Sequence, residues 1–287
     1  MYKKIIAGLL GLAAFATVGA GTTNAHAAST VQIAGQTARK HYLHIATYYR
    51  TTRATKVTIN YEKTHSTKLK SYSKSMTLPK GTIVDGDAHS FGTATTGSLY
   101  PEVHFNSNRL SYNLLNKGVK KGYQANEIGT SIATGSFKQI STPAYMPTWS
   151  YGDLYLGGAS ATKQPDESSQ NVQITDNGYV EVHKKNAAAQ FYNRYFNKPV
   201  ASAKIKKTTN KGSTRYLYLS KSLKGFKTTR VGHKGAYEYR LSMKNLHEPQ
   251  VNPSNNEDAD YSSFYSLYSL GGKTYYTPLG TSGPTTD

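Results

Sequence analysis

Val172-Gln173-Ile174-Thr175-Asp176-Asn177-Gly178-Tyr179-Val180-Glu181-Val182 is the stretch that decides the fold class. Apolar and polar residues alternate on both sides of Asp176-Asn177-Gly178, and those three tolerate positive φ at low cost, so the segment reads as a β-hairpin. Two more hairpins follow. Lys204–Thr208 and Thr214–Leu219 flank Asn210-Lys211-Gly212, and Phe226–Val231 faces Ala236–Met243 across Gly232-His233-Lys234-Gly235. Strands that bury one face and wet the other, loaded with Lys, Arg and Tyr, predict an antiparallel sheet or barrel with a cationic outer face.

Working outward, Gly135–Gln170 is broken by Pro143, Pro147, Gly152, Gly157, Gly158 and Pro165 and reads as irregular, with a domain boundary near 150–170. Upstream, Lys56–Tyr61 alternates cleanly, and Met76–Val84 places a Pro-Lys-Gly corner before a β-branched pair. Downstream, Asn186–Asn197 is Ala-rich with Phe191, Tyr195 and Phe196 spaced along one face, which predicts one short helix. Gln250–Asp260 is poor in apolar residues and reads as a linker. Phe264–Leu270 and Lys273–Tyr276 around Gly271-Gly272 give a fourth hairpin, expected to dock because an isolated hairpin is marginal. The fold class is therefore mainly β: two small antiparallel sheets or SH3-like barrels built from consecutive hairpins, plus one short helix. The expected division is a signal peptide over 1–27, an N-terminal β-rich domain over 28–148, a connection over 149–170, a hairpin domain over 171–248 and an acidic linker with a terminal hairpin over 249–287.

Met1–Ala27 has the three parts of a secretory signal: Lys3 and Lys4, the small and apolar run Ile5–Gly21, and Ala25-His26-Ala27 as a small-x-small cleavage site. A retained anchor would need about 20 strongly apolar residues, whereas Gly and Ala dilute this run. The chain is thus expected to be secreted. Thr277-Pro278-Leu279-Gly280 is followed by no hydrophobic tail, so retention at a Gram-positive surface is expected to be non-covalent. No cysteine is present, which excludes disulfides and thiolate metal sites.

Charge sets the class of partner. The formal net charge is +19, falling to +17 without Lys3 and Lys4, and Glu257, Asp258, Asp260 and Asp287 face only Lys273 beyond Pro249. Such an exported chain meets polyanions: teichoic acids, anionic lipid surfaces, acidic host glycans or free nucleic acid. Candidate binding residues are Lys206, Lys207, Lys211, Arg215, Lys221, Lys224, Lys227, Arg230 and Lys234 for charge, and Tyr216, Tyr218, Tyr237 and Tyr239 for ring faces. A charge excess that only keeps the chain soluble is the competing account. Tyr145, Trp149, Tyr151 and Tyr155 form an aromatic cluster with the single Trp, so Trp149 and Tyr151 are candidates for sugar stacking; a hydrophobic plug is the favoured alternative, since Trp is mostly buried. Acidification would protonate the eight histidines after Ala27 and tighten binding to phosphates.

Catalytic patterns are sparse. No Gly-x-Ser-x-Gly elbow, Cys nucleophile or His-Glu-x-x-His helix occurs. Glu102-Val103-His104 and Glu181-Val182-His183 read as surface ion pairs lacking a third metal ligand, and Asp85-Gly86-Asp87 with His89 as a turn. Asn255–Asp260 could hold calcium only weakly. No cofactor is called for. The expectation is a non-enzymatic envelope protein, with a glycan- or peptidoglycan-acting hydrolase as the alternative, its carboxylates drawn from Glu62, Glu102, Asp153, Glu181 and Glu238.

Two resemblances bear on this. "SKSMTLPKGTIVDG", Ser73–Gly86, resembles the strand-turn-strand of bacterial SH3-like wall-binding modules. "MTLPKGTIV", "PAYMPTWSYGDLYLGG", "VQITDNGYVEV", "YLYLSKSLKGFK" and "KGAYEYRLSMKNLH", in that order, resemble the recurrent segments of a family of secreted lactobacillus-type extracellular proteins, from Tyr48 to His247. That resemblance implies an exported, envelope-associated protein of a lactic acid bacterium with no settled activity, and carries no catalytic residue.

Overall fold

The structure, a computed structural model, describes residues 30–63, 71–91, 100–125, 130–187, 195, 197–253 and 262–282. The signal segment and the Asn255–Asp260 stretch lie outside the described residues. β1 (Thr30–Ile33) and β2 (Gln36–Arg39) pair as a hairpin. β3 (Tyr48–Thr51), β4 (Thr55–Lys63), β5 (Tyr72–Leu78), β6 (Ile83–Phe91), β7 (Tyr100–Phe105), β8 (Tyr123–Ala125), β9 (Thr130–Ala133) and β10 (Phe137–Ile140) sort into a five-stranded sheet, order β10-β3-β6-β7-β9, and a three-stranded sheet, order β5-β4-β8. Val57, Ile59, Tyr61, Leu78, Val84, Phe105, Leu110 and Leu115 fill the core of this part. The alternation read in Lys56–Tyr61 is the buried-exposed alternation of β4.

The hairpins read from the sequence all form, and they close on themselves. β11 (Asp153–Leu156), β12 (Gln170–Ile174), β13 (Tyr179–Lys184), β14 (Ala201–Lys211) and β15 (Thr214–Leu219) run antiparallel in order. After a short β16 (Thr228–Arg230) come β17 (Tyr239–Pro253), β18 (Ser262–Leu270) and β19 (Lys273–Ser282). β15 pairs with β17 and β19 pairs with β11, so eight strands make a closed up-and-down barrel, with β16 added on the free edge of β17. Closure removes the exposed strand edges that an open sheet would present.

Strand alternation fills the barrel. Leu154, Val172, Ile174, Val180, Val182, Ala203, Leu217, Leu219, Leu241, Met243, Tyr268, Leu270 and Tyr275 form one buried cluster, so the interior is packed with side chains, as expected for a barrel of this strand number. A β-bulge between Ile205 and Lys207 adds Lys206 to β14 and resets the alternation, returning Lys207 to the face opposite Ile205.

These facts revise several expectations. In place of two small sheets, the second half is one closed barrel. The connection expected over 149–170 supplies its first strand, Asp153–Leu156. The linker expected from Gln250 belongs, as far as Pro253, to a 15-residue strand, and the terminal hairpin is two full barrel strands rather than a docked appendage. The helix expected over 186–197 falls largely outside the described residues, whereas a single helical turn, α1, occurs at Tyr112–Leu115. Among the described residues no helix is long and apolar enough to cross a membrane.

Ending the chain after Pro253 removes β18 and β19 and opens the barrel between β17 and β11. The expected outcome is loss of cooperative unfolding for the whole second half, measured by circular dichroism on heating. Within the intact chain, Leu241→Ala, at a fully buried position, is expected to cost about 2–5 kcal/mol in denaturant unfolding.

Candidate functional site

Two arrangements stand out: a buried polar junction between the two halves, and an exposed cationic face on the barrel.

The junction is built from the turn that first identified the fold. Asp176 projects toward β6, where the Asp85 backbone N–H donates to Asp176 Oδ2 at 2.7 Å. Asn177 Oδ1 accepts from the Ser111 backbone N–H at 2.9 Å, and its amide donates to Ser111 Oγ at 2.9 Å. Gly178 takes a φ of 76° that favours glycine, the Tyr145 ring packs beside it, and Tyr145 Oη donates to the Asp176 carbonyl. Buried Arg109 forms an ion pair and a hydrogen bond with Asp153 and lies 3.9 Å from Asp85, with its guanidinium 4.9 Å from the Tyr151 ring centroid. Tyr151 in turn stacks on His44 at 4.3 Å.

Three carboxyl groups thus share one guanidinium. Burial, then the neighbouring Asp85 carboxylate, push Asp176 well above the ordinary carboxylate range. A neutral Asp176 carboxyl can donate to Asp85, which leaves Arg109 balanced chiefly by Asp153 and Asp85. Removing Arg109 would bury uncompensated carboxylates, a change that typically costs about 3–5 kcal/mol.

Glu181 and His183 are buried beneath α1 and are not the surface pair expected from their spacing. Glu181 accepts from the Tyr112 backbone N–H at 2.9 Å and from Ser202 at 3.1 Å, and His183 Nδ1 meets the Asn197 carbonyl at 2.9 Å. Burial raises the Glu181 carboxyl and lowers the His183 imidazole; burial, then Arg109, lowers His44. His44 and His183 therefore take up protons less readily than ordinary imidazoles and add less positive charge on acidification than a count of histidines suggests. Of the acids weighed for glycosidic cleavage, Asp153 and Glu181 are both engaged in joining the halves.

The cationic face follows from strand parity. Lys207, Tyr218 and Arg240 are register partners across β14, β15 and β17; Thr209, Tyr216 and Ser242 form the next row, and Lys211, Thr214 and Lys244 the one after. Lys207 Nζ lies 5.7 Å from the ring centroids of both Tyr218 and Tyr237, which meet edge to face at 5.2 Å. Arg240 covers Tyr216 at 4.9 Å. A hydrogen bond with Thr209, joined by Arg240 and Lys207, lowers the Tyr218 phenol from its ordinary value. Among the described residues, none of the ion pairs reaches Lys206, Lys207, Lys211, Arg240 or Lys244, and ring faces position two of these cations, Lys207 and Arg240, without neutralising them.

The structure brings together Lys206, Lys207, Lys211, Tyr216, Tyr218 and Tyr237 from the sequence candidates and separates the others. Arg215 and Tyr239 have the opposite parity: Arg215 pairs with core Met243 and donates to Thr148 at 3.1 Å, and Tyr239 packs on the barrel core. Lys221, Lys224 and Lys234 are exposed outside the strands, Arg230 is exposed on β16, and Lys227 lies by the Gly271-Gly272 turn. Trp149 packs with Val31, Phe264 and Leu279, joining the β1–β2 hairpin to the barrel, while Tyr151 belongs to the junction. Arg240 and Lys244 were missed, although extending the Leu241/Met243 alternation by one residue on either side points to both. Family models, curated proteins and solved structures were compared with the chain, and none matches.

The junction predicts a pH dependence. A group raised in the folded state stabilises fully below its unfolded value, 3.8 for Asp176, and that contribution is lost as pH rises through the folded value. Lowered His44 and His183 act in the opposite sense, losing stability as pH falls below 6.5. Asp176→Asn imitates the neutral acid, so its melting temperature is expected to fall less than that of the unaltered chain as pH rises above 3.8, as thermal melts across pH would show.

Proposed function

We propose that this protein is an exported, non-catalytic envelope protein that holds anionic polymers, wall teichoic acid or acidic host glycans, on the outer face of β14, β15 and β17. One observation carries the reading: Lys207, Lys211, Arg240 and Lys244 share a face with Tyr216, Tyr218 and Tyr237, none of the ion pairs among the described residues reaches them, and Lys207 and Arg240 are held against aromatic rings. The charged rows flank the uncharged row Thr209-Tyr216-Ser242, so cations recur every four residues, about 13 Å along a strand, and an extended polyanion spans successive charged rows. The signal-like N-terminus and the resemblance to secreted lactobacillus-type proteins support export and envelope association. Nucleic acid would meet the same charge, but no base-reading arrangement singles it out.

Binding made of many such contacts is steeply salt-dependent. Co-sedimentation with cell walls is expected to fall sharply between low and physiological salt and to disappear once teichoic acid is stripped. The variant Lys207→Gln/Arg240→Gln/Lys244→Gln is expected to weaken wall binding about tenfold or more, if each lost contact is worth roughly 0.5–1 kcal/mol. Salt-independent binding, unchanged in this variant, would contradict the reading.

A further inference from the structure

A cleft of about 660 Å³ opens between the halves, lined on one side by Arg50 of β3 and on the other by Lys206 and Lys207 of β14. The rest of its lining is Ile83, Ile140, Pro143, Ala144, Ile205 and the Tyr145 ring, with the hydroxyl side chains of Ser141, Thr142 and Thr208 among them. Among the described residues no carboxylate lines it, and Arg50, Lys206 and Lys207 are all exposed. Its size is that of a small-molecule site. Lys207 belongs to both places: it edges this cleft and also lies between Tyr218 and Tyr237 on the cationic face. A polymer lying on that face can therefore turn one unit into the cleft without leaving Lys207.

The two chemistries of the walls restrict what fits. A bare phosphate or polyphosphate would use the three cations and leave the Ile, Pro and Tyr surface facing nothing. An apolar ligand would leave the cations unused. A sugar ring bearing an anion satisfies both, because its C–H face packs on apolar and aromatic surface while its carboxylate or phosphate accepts charge-assisted hydrogen bonds. Tyr145 is fixed for such a contact: its ring lies over Gly178 and its hydroxyl is held by the Asp176 carbonyl.

We propose that the cleft between β3 and β14 seats one anionic sugar unit of the polymer, with Arg50, Lys206 and Lys207 binding the anion and Tyr145, Ile140 and Pro143 receiving the ring. This rests on the polyanion-binding reading and adds a specific subsite to it. It also makes binding depend on the halves being docked, because Arg50 and Lys206 come from different ones.

Calorimetric titration of the full chain with trigalacturonate, glucose 1-phosphate and tripolyphosphate tests it, alongside wall co-sedimentation of the same samples. Both sugar probes are expected to bind at least about tenfold more tightly than the more highly charged tripolyphosphate, and the tighter of the two identifies carboxylate or phosphate as the preferred anion. Arg50→Gln is expected to weaken the sugar probes about tenfold, in keeping with loss of one charge-assisted contact, and Lys206→Gln, on the exposed bulge, to act in the same direction. Lys56→Gln, exposed on β4 and outside both the cleft and the cationic face, is expected to leave them unchanged. Tighter binding of tripolyphosphate, sugar binding indifferent to both cleft variants, or an oligothymidylate bound more tightly than either sugar through Arg50 would overturn the proposal. If the sugar probes fail while walls still bind in a salt-dependent way, the cleft assignment falls and the broader reading stands; loss of wall binding as well removes both.

Discussion

The buried guanidinium of Arg109 is the interaction on which the arrangement of this molecule depends. It comes from the short 3-10 turn Ser107–Arg109 and meets Asp153 on the first barrel strand and Asp85 on β6, so that one side chain ties the barrel to the N-terminal sheets. Charges buried in this way are costly unless fully paired, and a third acid, Asp176, would tip the balance toward excess negative charge if it stayed ionised. Holding Asp176 neutral lets its carboxyl join the junction as a hydrogen-bonding group. The same turn places Asn177 against Ser111 and Tyr145 over Gly178, so the junction consists of specific polar contacts supplemented by the apolar packing of Tyr48 and Met146 onto the barrel core.

Docking has a consequence for the surface. The outer side of β12 and β13, where Gln173, Glu181 and His183 lie, is covered by the N-terminal half, while the outer side of β14, β15 and β17 is left open and carries cations. Among the described residues Asp85, Asp176 and Glu181 are thus buried while Lys206, Lys207, Lys211 and Lys244 are exposed, which leaves cations uncompensated on this accessible face. A cation fixed by a ring face loses less conformational freedom on meeting an anion than one on a free side chain.

Much of this was legible in the sequence, and the omissions have physical causes. Hairpins are local: their turn residues and alternation are adjacent in the chain, and each one read from the sequence is present. Barrel closure is not local. Tyr155 of β11 pairs with Tyr276 of β19 across most of the second half, and nothing in either segment names its partner. β11 is only Asp153–Leu156, set among Gly and Pro, and so looked irregular. β17 was cut short because Gln250–Asp260 is poor in apolar residues; in the strand, a register shift between Asn245 and Pro249, with His247 at φ 57°, accommodates Pro249. For the cationic face, composition found the Lys and Tyr residues, but only parity separates Tyr216 and Tyr218, which face outward, from Arg215 and Tyr239, which do not. Asp176 was recognised as a turn former, and its burial against a second acid follows solely from the packing of the two halves.

Lysine-acetylation footprinting with and without a wall polyanion tests the central claim most directly, because it reports each ammonium group separately. The account predicts that Lys206, Lys207, Lys211 and Lys244 become protected on binding, while Lys56 and Lys63, exposed on β4 of the N-terminal sheets, remain as reactive as in the free protein. Uniform partial protection of all exposed lysines, or protection confined to the N-terminal sheets, would show that the β14–β15–β17 face is not where the polymer is held.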